Sequence, residues 1–518
     1  MIKSAANTRM EKKYEQIINI ILLISILNLL VYIFTLYFTS YGIFRDELYY
    51  IACANRPAFG YVDQPPLSIW ILAVWKSLLG DSLFVIRLLP AFISSITIFI
   101  LGLFTFRLGG GKSAVIISMI TFTLSPIFLG MTTIYSMNVF DFFFWILAAY
   151  FFLQILESSN HKLWYALGIV IGLGLLNKTS MLWLSVGILV GTLFTPLRED
   201  LKTNYPYIAA VIALLIFSPY IIWNLIHDFA HFEFIRNAAQ QKYGGLTPLS
   251  MILDMILIFN PVSVLIWIPG IIFYFFNKNS RIFRPLGYIF FTTFVILFMN
   301  WHSKAEYLAP AFQILFAGGA VMIVKWNTKI VRLKYVLVIP VIVLSLILSP
   351  LARPLLPVQA FLDYQSVFSL GTSNSEGKEL SGLPQFYADM FGWESLARDV
   401  SKVYQSLPDE EKNRTVVYCS NYGEAGAIEY YSKYYQLPKV ICPHNNYWYW
   451  WPEKLNATAV IIIGGTAKQH LDALEYCDLA AIHKTKYAMP YENNLNIFIG
   501  RGLKIPLEKI KRELKRFI

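Results

Sequence analysis

Ionisable side chains are scarce in this chain, so the few beside long apolar runs carry most of the chemical information. The densest group follows the first such run: Tyr41-Gly42-Ile43-Phe44-Arg45-Asp46-Glu47-Leu48-Tyr49-Tyr50, then Gly60-Tyr61-Val62-Asp63-Gln64-Pro65-Pro66-Leu67. A carboxylate beside a bilayer can act as a general base or bind a cation. The plainer reading of Asp46-Glu47 is a solvated interfacial pair. Asp63 stands on a backbone stiffened by two prolines, which fix φ and restrict the residue before each. That suits a group that must be held still, and equally a simple loop-to-helix junction.

Asp141, in Tyr135-Ser136-Met137-Asn138-Val139-Phe140-Asp141-Phe142, lies inside an apolar segment. An ionisable group there costs a few kcal/mol unless it meets a partner or a cavity. Arg87 is of the same kind; it would pair with Asp141 or meet a phosphate. His302, Lys304, Glu306 and Tyr307 open a later segment, where Lys304 could neutralise a phosphate and His302 could ligate a metal. His227, Asp228, His231 and Glu233 have spacing compatible with one helix face and a metal site, or with a solvated interfacial face. The aromatic run His444-Asn445-Asn446-Tyr447-Trp448-Tyr449-Trp450-Trp451 suits sugar stacking, lipid headgroups or packing.

Membrane helices must position these groups. About 20 apolar residues cross a bilayer, and such stretches fall near 17–38, 83–106, 114–131, 134–156, 163–177, 180–196, 205–226, 250–276, 285–301, 305–325 and 335–350. The short pair 163–177 and 180–196 reads as broken or tilted helices. The first run is too long for a signal-peptide core and reads as an uncleaved anchor. With the N-terminus in the cytoplasm, the inner loops hold 16 Lys/Arg and the outer loops 7, although the outer ones are longer. This asymmetry favours that orientation. Loops 39–82 and 227–249 then face outward, and eleven crossings put 351–518 outside.

After Leu351 the pattern changes. Pro354 and Pro357 close the last span, and a polar stretch with Gly371, Ser373 and Gly377 reads as a linker. Short β-rich runs at 415–419, 439–442, 459–463, 479–484 and 495–499 then alternate with helical runs at 393–406, 424–435 and 467–476. That pattern predicts a small α/β domain with a mainly parallel sheet. Gly464-Gly465 reads as a tight turn, since no phosphate-loop pattern surrounds it. The basic tail 503–518 reads as a helix, resting on anionic lipid or simply solvated. The expected fold is thus a polytopic α-helical membrane protein of about eleven spans (1–350) with a C-terminal extracytoplasmic α/β domain (351–518).

Composition narrows the function classes. The chain has 518 residues, 56% hydrophobic, 16% aromatic and only 14% charged. A soluble domain carries roughly 25% charge, so a water-soluble enzyme is excluded for most of the length. Net charge is +11. Its excess lies between apolar runs, which indicates membrane orientation and no nucleic-acid partner. The four cysteines form no CxxC pair and give neither a zinc signature nor a disulfide framework.

Taken together, Arg45-Asp46-Glu47-Leu48-Tyr49-Tyr50, Phe59-Gly60-Tyr61-Val62-Asp63-Gln64-Pro65-Pro66-Leu67, Arg87-Leu88-Leu89-Pro90 and Lys304-Ala305-Glu306-Tyr307-Leu308-Ala309-Pro310-Ala311 resemble the GT-C glycosyltransferases. The branch looks like that of the protein O-mannosyltransferases and the lipid A aminoarabinose transferase. The resemblance covers at least residues 17–325. It implies a membrane enzyme that moves a sugar, with inversion, from a polyprenyl-phosphate carrier to an extracytoplasmic lipid, glycan or protein acceptor. It also implies membrane lipids as partners. Asp46 maps to the general base, with Glu47 and Asp63 completing the acidic set. Arg45, Gln64, Arg87, Asp141, Lys304 and Tyr307 are the substrate-binding candidates. Asp63-Gln64 stands where the aminoarabinose transferase has a Glu-Lys pair, so Lys304, Arg87 or Arg45 would have to replace that lysine. Some relatives use a divalent cation and others none. Tyr422-Gly423-Glu424-Ala425 and His444-Asn445 look like the extra domain of uncharacterised members. Two other classes compete: a transporter or lipid flippase, for which Asp141 and the broken spans would line a path, and a non-catalytic envelope-assembly protein.

Overall fold

The structure is a computed structural model that describes residues 2–158, 160–242, 245–300, 303–327, 332–368, 382–452 and 456–518. His302 and the expected linker at 371–377 lie outside the described residues. The protein is a polytopic α-helical membrane protein with a small C-terminal sheet. Two compact units divide the chain: residues 1–39, 84–222 and 243–356 form one, and residues 40–83, 223–242 and 357–518 form the other. Loop 39–82, grouped by sequence with the membrane helices, packs with the C-terminal residues instead.

Within the first unit, apolar composition and length make the helices, and small or polar residues join them. Among the described residues seven helices are long and apolar enough to cross a membrane, or nine if two bent pairs each count as one span. Several of the expected eleven spans break or shorten. The segment expected at 114–131 divides into Lys112–Thr123 and Pro126–Met131, because Pro126 cannot donate to the preceding turn. Pro248–Ile258 and Pro261–Phe275 meet at 93°. There Asn260, at φ 76°, caps the second helix by accepting from Val262 N–H.

Helix Val264–Phe275 touches Ala309–Asn327 through Gly270 and Gly319, where a Cβ would strike the Leu315 and Ile266 carbonyls. Small residues allow such close approach where lipid offers little drive for helix association. Buried polar side chains add hydrogen bonds across helices: Asn28 to Ser95 at 2.9 Å, and Asn260 to Ser345 at 2.8 Å.

The second unit carries a five-stranded sheet: β1 (Thr415–Tyr418), β2 (Lys439–Ile441), β3 (Ala459–Ile463), β4 (Leu474–His483) and β5 (Leu495–Leu503), in the order β2-β1-β3-β5-β4. Strands β1, β2 and β3 run parallel, while β5 pairs antiparallel with both β3 and β4. The sheet is therefore mixed, and β4 begins earlier than expected. Its residues from Leu474 were assigned by sequence to a helix that in fact ends at Leu471. The basic tail is a shorter helix, Leu507–Glu513. Its Ile510 packs against Val416, Ile441 and Trp451, so burial of that side chain holds the tail against the sheet.

Helix Arg45–Ala54 of the first loop lies against helix Tyr422–Tyr431, which follows β1. Two glycines permit the approach. A Cβ at Gly426 would fall 2.8 Å from Leu48 Cβ, and one at Gly423 would fall 2.6 Å from Arg45 Cγ. The Tyr-Gly-Glu-Ala-Gly-Ala sequence is thus the seat of the acidic helix.

Candidate active site

Helix Arg45–Ala54 begins with its acids. Glu47 is fully buried and its Oε2 accepts from Phe44 N–H at 2.9 Å. A carboxylate in the first turn satisfies an otherwise orphaned donor and suits the positive end of the helix. Glu47 thus holds the helix entrance and does not line the pocket described below. Asp46 faces the other way, with its side chain 40% exposed. Its Oδ1 accepts from Tyr422 hydroxyl at 2.8 Å and lies 3.5 Å from Arg45 Nε. Among the described residues both of these contacts fall on Oδ1, so Oδ2 is the atom available to a substrate.

Arg45 is buried and held from several sides. Its Nη1 donates to the Tyr491 hydroxyl at 3.0 Å and lies 3.8 Å from Asp389 Oδ2. Its backbone N–H donates to the Asp389 carbonyl at 3.0 Å. The guanidinium also sits over the Tyr422 ring, 5.5 Å from its centre.

Asp63 joins the same unit through Tyr49, one turn beyond Asp46. The Tyr49 hydroxyl donates to Asp63 Oδ1 at 2.9 Å. Burial pushes the Asp63 carboxyl up to about 6, and the neighbouring Asp46 charge adds to the rise, while Tyr49 and Lys242 oppose it. The loop is anchored on both flanks. Asn446 Oδ1 accepts from Val62 N–H at 2.7 Å, and His231 Nδ1 meets the Val62 carbonyl at 3.0 Å. This backbone contact is what His231 does, rather than metal ligation. His227 stacks on Trp223, with ring centres 4.1 Å apart. Gln64 is fully buried; its carbonyl accepts from Tyr61 N–H at 3.1 Å, closing the turn before Pro65.

Arg87, Asp141, Lys304 and Tyr307 belong to the first unit. Arg87 is fully buried in helix Leu83–Arg107. Asp141 has a partner, but it is Lys178 and not Arg87. Lys178 Nζ lies 3.4 Å from Asp141 Oδ2, and the Ser180 hydroxyl reaches both carboxylate oxygens at 2.9 and 3.0 Å. Lys178 also donates to Asn138 at 2.7 Å and sits 5.5 Å from the centre of the Tyr307 ring. The Asn177-Lys178-Thr179 break between two short helices thus delivers a cation to an intramembrane acid. Lys304 Nζ lies 3.7 Å from Glu306 Oε1.

Sequence reasoning missed Lys178 as a site residue. The available signal was a lysine between two apolar runs, which is expensive unless paired. It also missed Tyr49 and Tyr422, which orient the two aspartates. Tyr49 stands three residues after Asp46, on one face of a helix; nothing local marks Tyr422. Among the described residues no group of three His, Cys, Asp or Glu is placed to hold a metal ion. The donor set of the described residues therefore does not fit the divalent cation that the resemblance allows.

Known proteins resemble this chain in sequence and in fold. Residues 63–223 match the family model described as dolichyl-phosphate-mannose-protein mannosyltransferase. The lipid A galacturonosyltransferase of Rhizobium johnstonii is 25% identical over 197 residues, 37% of this chain and 40% of that protein. The matched stretch thus spans well under half of that relative. ArnT from Cupriavidus metallidurans, solved with undecaprenyl phosphate, superposes with a TM-score of 0.60 at 12% identity, covering 92% of this chain and 97% of that one. The Archaeoglobus fulgidus oligosaccharyltransferase gives 0.50 at 14% identity over 86% and 68%.

Proposed function

From its GT-C glycosyltransferase architecture, we propose that this multi-pass membrane protein transfers a sugar from a polyprenyl-phosphate carrier to a hydroxyl acceptor on the extracytoplasmic side. The N-terminus is then cytoplasmic, and residues 351–518 stand outside with loop 39–82. The observation that carries the reading is the half-exposed Asp46 carboxylate, fixed through one oxygen by Tyr422 and Arg45. The second oxygen takes the proton of the acceptor hydroxyl. The hydroxyl oxygen attacks the anomeric carbon from the face opposite the phosphate. The bond from that carbon to the phosphate oxygen breaks, and the carrier phosphate leaves with the electron pair, so the anomeric centre inverts.

A positioned base contributes about 10²–10⁴ in rate. Asp63 sits beside Asp46 and raises the local negative potential, which helps draw the hydroxyl proton. The leaving phosphate needs fixed positive charge, for which Arg45, in the same unit as Asp46, is the candidate. Within the first unit, Asp141 holds Lys178 and Tyr307 flanks it. Gln64 and Glu47 act as positioning residues. The likeness to glycosyltransferases favours this reading over a transporter or flippase. Incubating the purified protein with a panel of prenyl-phosphate sugars and hydroxyl acceptors, read by mass spectrometry, tests it. A mass gain of one sugar on an acceptor supports transfer; recovery of every donor intact with every acceptor counts against it.

A further inference from the structure

A second group of acids lies in the same unit, outside the machinery above. In the sheet, the chain leaves β1 toward β2 on one side and leaves β3 toward β4 on the other. The C-terminal ends of adjacent β1 and β3 therefore form a switch point, where α/β sheets leave a crevice for ligands. A cavity of about 680 Å³ occupies that position, walled by Ser420, Asn421 and Glu424 after β1, Gly464-Gly465 after β3, and Glu492 before β5. Tyr422 and Arg45 line it too. The same tyrosine hydroxyl holds Asp46, so the cavity adjoins the proposed base.

Its polar walls are built. Glu424 accepts from Ser420 N–H at 2.7 Å and from Asn421 Nδ2 at 2.9 Å. That Asn421 amide also donates to Glu492 Oε1 at 2.9 Å, tying the two carboxyls together. Burial pushes Glu424 up to about 7 and Glu492 well above the carboxylate range, and the Glu424 charge raises Glu492 further. Glu492 is only 4% exposed, yet among the described residues its Oε2 has no hydrogen-bond partner. A buried polar atom left unmatched is costly, and in a native fold it calls for an explanation. Here the residue belongs to the wall of a cavity.

The charge pattern selects the ligand. Arg45, Lys242 and Arg516 line the cavity as well. A free cation would face these three bases, while the Glu492 carboxyl, its charge disfavoured by burial, both donates and accepts hydrogen bonds. A neutral group that both donates and accepts hydrogen bonds satisfies both sets. We propose that this cavity is the acceptor subsite and binds a sugar ring of the acceptor, with a hydroxyl paired to Glu492. This rests on the transferase reading and names the acceptor as a glycan.

The test uses the full chain in detergent, titrated with methyl glycosides of mannose, glucose and galactose and followed by saturation-transfer NMR. Inorganic phosphate and a prenyl phosphate serve as separate probes. At least one glycoside should bind. Glu492→Ala should weaken it at least tenfold, and Glu492→Gln should recover most of that loss. Prenyl-phosphate binding should move less than twofold in both. Leu495→Trp, which fills the cavity from its wall, should also abolish glycoside binding, and this arm stands if Glu492→Ala fails to fold. The proposal is overturned if no glycoside binds, if phosphate alone competes with the glycoside, if both variants bind it normally, or if prenyl-phosphate affinity falls with glycoside affinity. Because binding is read without turnover, a protein that binds glycosides yet transfers no sugar would defeat the transferase reading and leave the subsite standing.

Discussion

Replacing Asp63 with Asn should stabilise the protein in a pH-dependent way while impairing it as an enzyme. The native carboxyl titrates at about 6, against 3.8 for an unperturbed aspartate, chiefly because burial disfavours its charge. Its folded pKa is raised, so its contribution is most favourable below about 4 and is lost as pH rises through 6. At 1.36 kcal/mol per unit the full displacement corresponds to about 3 kcal/mol. The carboxyl keeps some contact with solvent, which reduces this to about 1–2 kcal/mol. Asn stays neutral throughout, and its carbonyl still accepts from Tyr49. Relative to wild type, Asp63→Asn should therefore gain little at pH 4 and about 1–2 kcal/mol at pH 8. For a unit of this size that is a rise of roughly 2–8 °C in Tm. Thermal unfolding in detergent at pH 4, 5, 6, 7 and 8 reads it directly, with transfer measured in parallel at pH 7. A variant that melts lower than wild type at pH 8, or whose difference from wild type is flat across the series, would refute the reasoning.

Three further outcomes follow from the contacts. Tyr422→Phe keeps the ring packing but removes the hydrogen bond to Asp46; it should cost roughly tenfold in kcat, about 1.4 kcal/mol, with little change in Tm. Lys178→Ala strands a buried Asp141 and should destabilise the protein by about 3 kcal/mol. Adding Asp141→Asn in that background should restore part of the loss, a recovery that thermal unfolding of the single and double variants would reveal. Glu47→Ala removes the capping carboxylate at Phe44 N–H and should cost about 1–2 kcal/mol of stability, measured by denaturant titration.

Much of the architecture could be read from the chain because apolar length and β-rich runs are local signals. The helices near 83–107, 137–157 and 205–226 match their expected bounds closely. The errors share a cause. Where Pro126 and Asn260-Pro261 interrupt apolar runs, composition stays membrane-like while the backbone turns, so hydropathy alone counts a continuous span. The residues from Leu474 were misread because a helical and an edge-strand pattern look alike over a few positions. In the site, Asp46 and Asp63 were visible as acids beside a membrane run, but their orientation was not. Tyr422 lies 376 positions from Asp46, and no periodicity carries that distance. In the sequence Asp141 reads as an acid that needs a partner or a cavity. Lys178, rather than Arg87, fills that role, since only the helix break brings a cation within 3.4 Å.

The central claim is that Asp46 accepts the acceptor proton. Asp46→Asn preserves the carbonyl that receives the Tyr422 hydroxyl but cannot take a proton at neutral pH. Reconstituted into vesicles with a prenyl-phosphate sugar that wild type uses, the variant should lose at least 10²-fold in transfer while keeping the wild-type Tm and affinity for the carrier. Transfer within a fewfold of wild type from a well-folded Asp46→Asn protein would contradict the account.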